Sequence, residues 1–503
     1  MTAKNKDDYI ERVIKGGDDI SSVLRRMTAP SLKNNEHIDV INDGMNGLAV
    51  IRIPEGYEAL CFSASGDPDI ISSEPYLLSM VERLGEGAKK AGKAWNTKVT
   101  PIGFANDINA GGSIDAELFG GLLNKSATEL GVGVINGEFA NLGDRVRVPF
   151  NINGVMVCMV EKGKIKEDVF TIDGTTYVKF DPKGKAVWIN SDGQGTKAEF
   201  NERSGKYHLA LYDSLAMKLD DLIKIGAEAK AVFDTVETRE MRFGNFMRMQ
   251  KEAERFTKKT GINYVLSRCE VGLRIKSYRS DIAAFNIGGS SVSTIDEERL
   301  KNPLVSLPGD FLLAMIGMPN PRSNGITDKR ILMVEFFGKE WHKTPEGEIF
   351  MQYLMQPSTV FYPVFKELVD SGLANAVYHM SGGAYDGKLA RPLAKQGLLG
   401  VLNDLFMPDW RELAIAGLGL NPAEYAYAKW PMGNEGFVSV IPDHIGEAES
   451  IIRKHGLKVR KAGYVEKAKK YVDPADNKTK LRTGLELTAC NGEKVYFSGQ
   501  KLS

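Results

Sequence analysis

The sequence predicts an α/β (α+β) chain in which two similar modules precede a third domain. Three observations predict it. Strand-like and helix-like patterns alternate through residues 35–302, which favours a mixed layer over an all-β unit. Three short segments recur in one order: Ala59-Leu-Cys-Phe-Ser-Ala-Ser-Gly66 with Ala186-Val-Trp-Ile-Asn-Ser-Asp-Gly193, Gly131-Val-Gly-Val-Ile135 with Gly261-Ile-Asn-Tyr-Val265, and Pro149-Phe-Asn-Ile-Asn-Gly154 with Ala284-Phe-Asn-Ile-Gly-Gly289. Ordered self-similarity is the mark of an internal repeat. From about residue 303 the pattern changes and does not repeat again.

Each element has a local reason. Residues 1–34 read as an arm or lid: apolar residues recur at helical spacing from Asp8 to Arg26, and Pro30 breaks the run. The first module, 35–165, has strands at Gly47–Ile53, Tyr57–Phe62, Val99–Phe104, Val132–Ile135 and Val155–Val160, and helices at Pro75–Lys90 and Ile114–Leu130. The second, 166–302, has strands at Thr176–Phe180, Ala186–Asn190, Ala229–Asp234, Asn263–Leu266 and Ile282–Ile287, and helices at Leu211–Ile225 and Phe243–Thr260. The third domain, 303–465, opens with a strand at Phe311–Gly317. The tail, 466–503, contains a hairpin, because Asn491-Gly492 separates Leu485–Ala489 from Val495–Phe497.

Composition narrows the class. A chain of 503 residues, 43 % hydrophobic, suits about three domains with sizeable cores. Lys+Arg and Asp+Glu are both 65, so no basic nucleic-acid surface or acidic tail is expected. Cys61, Cys158, Cys269 and Cys490 lack zinc-like spacing, and a disulfide scaffold is not expected in so long a chain. The N-terminus lacks an apolar signal region, and no run approaches the roughly 20 apolar residues of a membrane span. These features point to a cytoplasmic protein with no nucleic-acid or membrane partner.

Five segments can carry chemistry. In Asn190-Ser-Asp-Gly-Gln-Gly-Thr-Lys197, Gly193, Gly195 and Thr196 let backbone N–H groups approach a phosphate. Asp192 can ligate Mg²⁺ through oxygen, and Lys197 can neutralise phosphate. Taken alone, a glycine-rich turn explains the segment equally well. Along Asp213-Ser-Leu-Ala-Met-Lys-Leu-Asp-Asp-Leu222, Asp213 and Asp220 share one helix face, with Asp221 beside them among apolar residues. Adjacent carboxylates there call for a cation or donors, although charged helix residues are usually solvated. Asn136-Gly-Glu-Phe-Ala-Asn-Leu-Gly-Asp144 places Glu138, Asn141 and Asp144 on a loop after a strand, a pattern the second module lacks near Ser267. Conversely, the first module has Ser65 where the second has Asp192. Pro319-Asn-Pro-Arg-Ser-Asn-Gly325 offers Ser323, Asn324 and Gly325 ahead of a helix, where N–H groups favour an anion. His379-Met-Ser-Gly-Gly383 offers His379, Ser381, Gly382 and Gly383, though a lone histidine is more often structural.

In this order the five segments resemble the AIR synthetase family, phosphoribosylformylglycinamidine cyclo-ligase. Ser191-Asp-Gly-Gln-Gly-Thr-Lys197 resembles its Thr-Asp-Gly-Val-Gly-Thr-Lys loop, and Met217-Lys-Leu-Asp-Asp-Leu222 its Met-Cys-Val-Asn-Asp-Leu helix. Asn136-Gly-Glu-Phe-Ala140 resembles Gly-Gly-Glu-Thr-Ala, Ser323-Asn-Gly325 matches Ser-Asn-Gly, and His379-Met-Ser-Gly-Gly383 resembles His-Ile-Thr-Gly-Gly. The resemblance covers about residues 40–465. It is shared with selenophosphate synthetase, thiamine-phosphate kinase and the hydrogenase-maturation dehydratase.

The family carries one N-terminal and one C-terminal domain per chain, pairing two N-terminal domains across a dimer. The resemblance therefore implies two AIR-synthetase-like N-terminal domains forming an internal pseudo-dimer barrel, plus one C-terminal α/β domain, in a monomer or homodimer. It implies ATP and Mg²⁺, with Asp192, Asp221 and Glu138 on the metal and Asp192, Lys197, Asp221 and Glu138 as catalytic residues. Gly193, Gly195, Thr196, Asp213, Asp220, Asn141 and Asp144 would hold ATP. Ser323, Asn324, Gly325, His379, Ser381, Gly382 and Gly383 would hold a small phosphoribosyl substrate. Asn136 and Phe139 stand where the family has Gly and Thr, which bears on the substrate more than on the nucleotide. The expected activity is the ATP-dependent cyclo-ligase step of purine biosynthesis. The alternatives are another small-molecule phosphotransferase of the superfamily, or an inactive nucleotide-binding regulator.

Overall fold

Alternating strand and helix patterns resolve into three main sheets in a computed structural model that describes residues 20–33, 35–41, 48–67, 73–110, 114–141, 150–238, 243–270, 285–418, 422–472 and 479–499. The chain divides into two units, one within residues 1–218 and 227–303 and the other within 219–226 and 304–503.

The first unit contains two six-stranded sheets. Its strands are β1 (Ile38–Ile41), β2 (Leu48–Ile51), β3 (Tyr57–Ser65), β4 (Val99–Ala110), β5 (Gly133–Asn141), β6 (Phe150–Glu161), β7 (Val169–Ile172), β8 (Thr175–Phe180), β9 (Ala186–Gly193), β10 (Glu228–Thr238), β11 (Asn263–Glu270) and β12 (Phe285–Ile295). One sheet runs β5-β4-β6-β3-β8-β7 and the other β11-β10-β12-β9-β2-β1. The two orders correspond strand for strand. In each, the second strand pairs in parallel with the first and antiparallel with the third.

Strand pairing crosses the boundary expected at 165/166. The β1–β2 pair belongs to the second sheet, through Ile51 opposite Val187, and the β7–β8 pair joins the first sheet along β3. Each module's leading strand pair is thus exchanged onto its neighbour's sheet. The exchange is not visible in local periodicity, which reports a strand but not its partner.

Side chains alternate across each strand. One face buries Ala105, Val155, Val178, Ile189, Phe233 and Val292 in an interior shared by both sheets, as the barrel expectation requires. The opposite face of the first sheet buries Phe62, Phe104, Ile108 and Met156 beneath α2 (Ser73–Ala94) and α3 (Ala116–Leu130). Asp115 caps α3 at its start, accepting from Leu118 N, and Gly131 ends it at φ +70°.

A preceding helix, α1, spans residues 20–33 and continues through Pro30, where the sequence suggested a break. Tertiary contact explains its persistence. Leu24 enters the first module's core, Ser31 Oγ accepts from Val134 N at 3.0 Å, and a Cβ on Gly120 would lie 2.4 Å from Met27 Cβ. This described part of the arm is a packed element of the first module. The second module supplies α4 (Lys197–Ser204), α5 (Ala210–Ile223), α6 (Phe243–Thr260) and the short α7 (Glu297–Lys301).

The second unit is built on a seven-stranded sheet. Its strands are β13 (Phe311–Ile316), β14 (Ala376–His379), β15 (Leu398–Leu402), β16 (Gly436–Val440) and β17 (Lys458–Lys467), then β20 (Gly484–Thr488) and β21 (Lys494–Phe497), while β18 (Lys469–Val472) and β19 (Thr479–Arg482) pair separately. Its order is β14-β16-β13-β17-β15-β20-β21. Helix α8 (Ile326–Phe337) follows the loop after β13. The expected tail hairpin forms as β20–β21, and β20 pairs in parallel with β15, so it is an edge of this sheet. Among the described residues no helix is long and apolar enough to cross a membrane.

Candidate functional site

The shared interior of the first unit turns polar along its strands. Beyond Ala105 on the inward face of β4 come Asp107 and Asn109, and beyond Phe233 on β10 come Thr235 and Glu237. Here β12 pairs with β9, so that Gly288 lies opposite Gly193 and Gly289 opposite Asp192. Asp107 reaches across from the first sheet: a Cβ on Gly288 would fall 2.2 Å from its Oδ2. Glycine at 288 is what admits the carboxyl. Asn136 on β5 also crosses, donating to Ile189 O at 3.1 Å. Strand β5 at Asn136 and strand β9 at Ile189 therefore meet within one unit.

The electrostatics are unusual for a core. Asp107 is 1 % exposed, its Oδ2 accepts from Asn109 Nδ2 at 3.0 Å, and its Oδ1 has no hydrogen-bond partner. Burial pushes its carboxyl up to about 8, with Glu237 and Asp192 adding to the rise and Lys218 and Asn109 opposing it. Glu237 accepts from Asn153 Nδ2 at 2.7 Å, and Ser65 Oγ donates to Asn153 Oδ1 at 2.7 Å. Lys218 is fully buried: its Nζ lies 2.6 Å from Asp234 Oδ1 and donates to Asp192 O at 3.2 Å and Ser214 Oγ at 2.5 Å. Tyr264 OH donates to the other Asp234 oxygen at 2.6 Å.

The sequence-derived residues separate into groups. Asp192 is half-buried at the end of β9, where Gly193 N donates to its Oδ1 at 2.7 Å. Gly193 is also in β9, and Gly195 takes a left-handed φ of +64° in the turn that leads through Thr196 into α4. Lys197 and Asp213 are both fully buried and paired at 2.7 Å, with Gln194 Nε2 3.2 Å from the second Asp213 oxygen. This pair braces the loop against α5, so the Lys197 charge that was expected to neutralise phosphate meets Asp213 in this structure. Glu138 and Asn141 lie within β5 rather than on a loop after it, and Glu138 sits half-buried opposite Asp107 in the ladder. The Asn141 side chain and all of Asp144 lie outside the described residues.

In the second unit, Asp220 and Asp221 have different surroundings. Asp220 is fully buried, accepts from Arg322 Nη2 at 2.9 Å and from Tyr362 N at 2.7 Å, and is pushed by burial up to about 7 against the lowering effect of Arg322. The Asp221 side chain is 20 % exposed and ion-paired with Lys224. Burial would raise its carboxyl, but Lys224, Lys388 and His379 together hold it well below the usual range. His379 ends β14, with Nε2 2.8 Å from Asp221 Oδ1 and Nδ1 3.3 Å from Arg322 Nη2. Burial drives its imidazole down to about 3 although Asp221 favours the charged form. Ser381 Oγ lies 3.5 Å from the same Nε2 that faces Asp221, so the three do not form a nucleophile–base–acid relay, which needs both ring nitrogens.

The loops beside them are tightly specified. Arg322, Ser323 and Gly325 all have positive φ, and a Cβ on Gly325 would lie 2.1 Å from the Trp430 ring. Ser323 Oγ and both amide atoms of Asn324 are buried without a hydrogen-bond partner. Gly383 is left-handed at φ +84°, and Ala384 has φ +33°. Gly382 has open space where a side chain would project.

No family model matches the chain. Among relatives, phosphoribosylformylglycinamidine cyclo-ligase of Thermococcus kodakarensis is 25 % identical over 197 residues, 39 % of this chain and 56 % of the relative. The enzyme of that name from Clostridium botulinum (strain Langeland) is 25 % identical over 304 residues, 58 % of this chain and 85 % of the relative. The chain is thus similar, at low identity, to enzymes of the AIR synthetase family. It spans little more than half the length of the Thermococcus and Pyrococcus members it matches, at 56 %. Among solved structures, Hydrogenase Maturation Protein HypE in complex with ATP aligns with a TM-score of 0.41 and 13 % identity over 62 % of this chain and 84 % of that one. Thiamine-monophosphate kinase from Stenotrophomonas maltophilia aligns at 0.40 and 11 % over 65 % and 92 %.

Asp107, Asn109, Glu237, Lys218, Asp234 and Arg322 lie outside the residues that the sequence motifs single out. A signal existed: Asn106-Asp-Ile-Asn109 and Asp234-Thr-Val-Glu237 put polar residues at the ends of otherwise apolar strands. Among the described residues no group of three or more His, Cys, Asp or Glu side chains forms a metal cage.

Proposed function

We propose that this chain is an ATP-dependent enzyme that activates a carbonyl oxygen by phosphorylation, and specifically a phosphoribosylformylglycinamidine cyclo-ligase. The observation that carries the reading is the meeting of Asp107 from one module with the glycine-flanked Asp192 segment of the other, across Gly288. The two modules are read as a duplication that has kept one composite site. In such a reaction a phosphoryl group is transferred to an amide or formyl oxygen. An internal amine attacks the carbon and loses a proton, and phosphate departs with the oxygen as the imidazole ring closes.

The protein's own contribution is positional and electrostatic. Asp192 and Glu138 are the oxygen donors we assign to magnesium, whose chemistry is to offset phosphate charge. Gly193 and Gly195 let the backbone approach a phosphate, and Lys218 fixes the Asp192 carbonyl from behind. In the second unit, Ser323, Asn324, Ser381, Gly382 and Gly383 are assigned to the phosphoribosyl substrate, and the unpartnered Asn324 amide supports a role in recognition. Orientation of reactants can supply roughly 7–11 kcal/mol of the barrier.

The test is direct. With ATP, Mg²⁺ and formylglycinamidine ribonucleotide, the purified chain is expected to release ADP, phosphate and aminoimidazole ribonucleotide. ADP release only with a different acceptor would move the assignment to another phosphotransferase of the superfamily. Nucleotide binding without turnover on any acceptor would identify a regulator.

A further inference from the structure

Four side chains of the second unit form a closed ring of contacts. Arg322 is fully buried and all three of its nitrogens are engaged: Nε donates to Met380 O at 2.7 Å, Nη1 to Thr359 O at 2.6 Å, and Nη2 to Asp220 Oδ2 at 2.9 Å. The same Nη2 lies 3.3 Å from His379 Nδ1. A guanidinium has no acceptor, so His379 Nδ1 must accept. A neutral imidazole with an accepting Nδ1 carries its proton on Nε2, and that nitrogen lies 2.8 Å from Asp221 Oδ1. The order Asp220–Arg322–His379–Asp221 then returns to adjacent residues of one helix.

We infer that Arg322 locks His379 in the Nε2–H tautomer and that His379 is a positioning residue for the Asp221 carboxylate rather than a substrate contact. Three features support the assignment. The ring is fully buried at His379, Arg322 and Asp220, and only Asp221 is open to solvent, at 20 %. Asp220 is satisfied by Arg322 and Tyr362 N, which marks it as the anchor and leaves Asp221 as the presented acid. The Arg322 backbone also opens the strained Ser323–Gly325 loop, so one guanidinium sets both that loop and the histidine. A histidine whose outer nitrogen is fixed by a second group presents one ring orientation to its acceptor. The ring and its tautomer stand independently of the activity; the turnover arm of the test rests on the function proposed above.

The experiment is ¹⁵N NMR on the full chain with labelled histidine, the His379 signals being assigned by their loss in His379→Gln. The expected spectrum shows a protonated Nε2 and a bare Nδ1. A protonated Nδ1, or an imidazolium, would overturn the inference without reference to catalysis. Arg322→Lys, which removes the planar fork, is expected to release the tautomer into a mixture, and an unchanged fixed tautomer would remove Arg322 from the account. His379→Gln keeps an N–H near the Nε2 position, so Mg·ATP-dependent turnover is expected within about tenfold of wild type, against a loss of about 100-fold in His379→Leu, with the difference in kcat rather than in the KM of the ribonucleotide. Equal activity of the two variants would end the positioning role. An inactive wild type would instead defeat the proposed function while leaving the tautomer measurement valid.

Discussion

The two modules of the first unit share a ladder but not its polar residues. Pairing places Asp107 opposite Glu138 and Asn153, and Thr235 opposite Ser267 and Gly288. With Phe150 matched to Phe285, the counterparts are therefore Asp107 and Thr235, Glu138 and Ser267, Asn153 and Gly288, and Asn109 and Glu237. Each module keeps acids where the other has neutral residues. The inward contacts also differ: in the second module Gly288 makes room for Asp107, whereas in the first Asn153 holds Glu237 at 2.7 Å. The same backbone thus supports two different polar linings. Different residues at a few inward positions, without a change of topology, are enough to make the two modules asymmetric.

The comparison breaks most visibly at the buried cation. Lys218 serves Asp234, whose ladder counterpart Asn106 carries no charge. Lys218→Met is expected to cost roughly 3–5 kcal/mol in chemical denaturation, because a buried carboxylate loses its partner, and adding Asp234→Leu should recover part of that loss. Asn106→Leu should cost less, about 1–3 kcal/mol. Equal losses at the two positions would mean the modules are not electrostatically distinct.

At the proposed site the asymmetry should appear in rate. Glu138→Gln and Asp192→Asn are each expected to lower turnover by about 10²–10³-fold or more, while Ser267→Ala leaves it unchanged. A Glu138→Gln enzyme of full activity would remove the first module from the chemistry. A smaller effect is expected at the contact between the sheets. Gly288→Ala sets a methyl 2.2 Å from Asp107 Oδ2 and should destabilise by about 1–3 kcal/mol. Combining it with Asp107→Ala should relieve most of that cost, and strictly additive losses would show that the two residues do not meet.

Much of this was legible locally. The apolar neighbours of Asp213 and Asp220 marked those acids as buried, and both are fully so. The strand–glycine pattern located the loops after β9, β13 and β14. Partnership was not legible. Lys197 reads as a phosphate cation, and nothing local reveals that Asp213 lies 2.7 Å from it; the exchanged strand pairs are set by ladder contacts that no local period encodes. Register was misread by one residue: Asp192 opposite Gly289 and Ala64 opposite Gly154 make Ala64, not Ser65, the counterpart of Asp192. A slip of one residue reverses the face of a side chain, so that difference bears on which half could hold a ligand.

Asp107 itself offers the finest test, because its counterpart Thr235 does not titrate. Its carboxyl is raised by burial to about 8 in the folded protein, against about 3.9 when unfolded. Between those values the folded state holds a proton that the unfolded state has released. The associated stability is full below about pH 4 and is lost as pH rises through about 8. In protein free of nucleotide and divalent metal, stability should therefore fall by up to about 1.4 kcal/mol per pH unit across that window. Asp107→Asn should flatten the fall, since an amide supplies a neutral group of the same shape without a proton to lose. Glu237, Asp192, Lys218 and Glu138 surround the group, so their charges shape the curve but remain in the variant. An identical slope in wild type and Asp107→Asn would show that Asp107 is ionised in the fold, and the acid at the junction of the modules would then need a cation at all times.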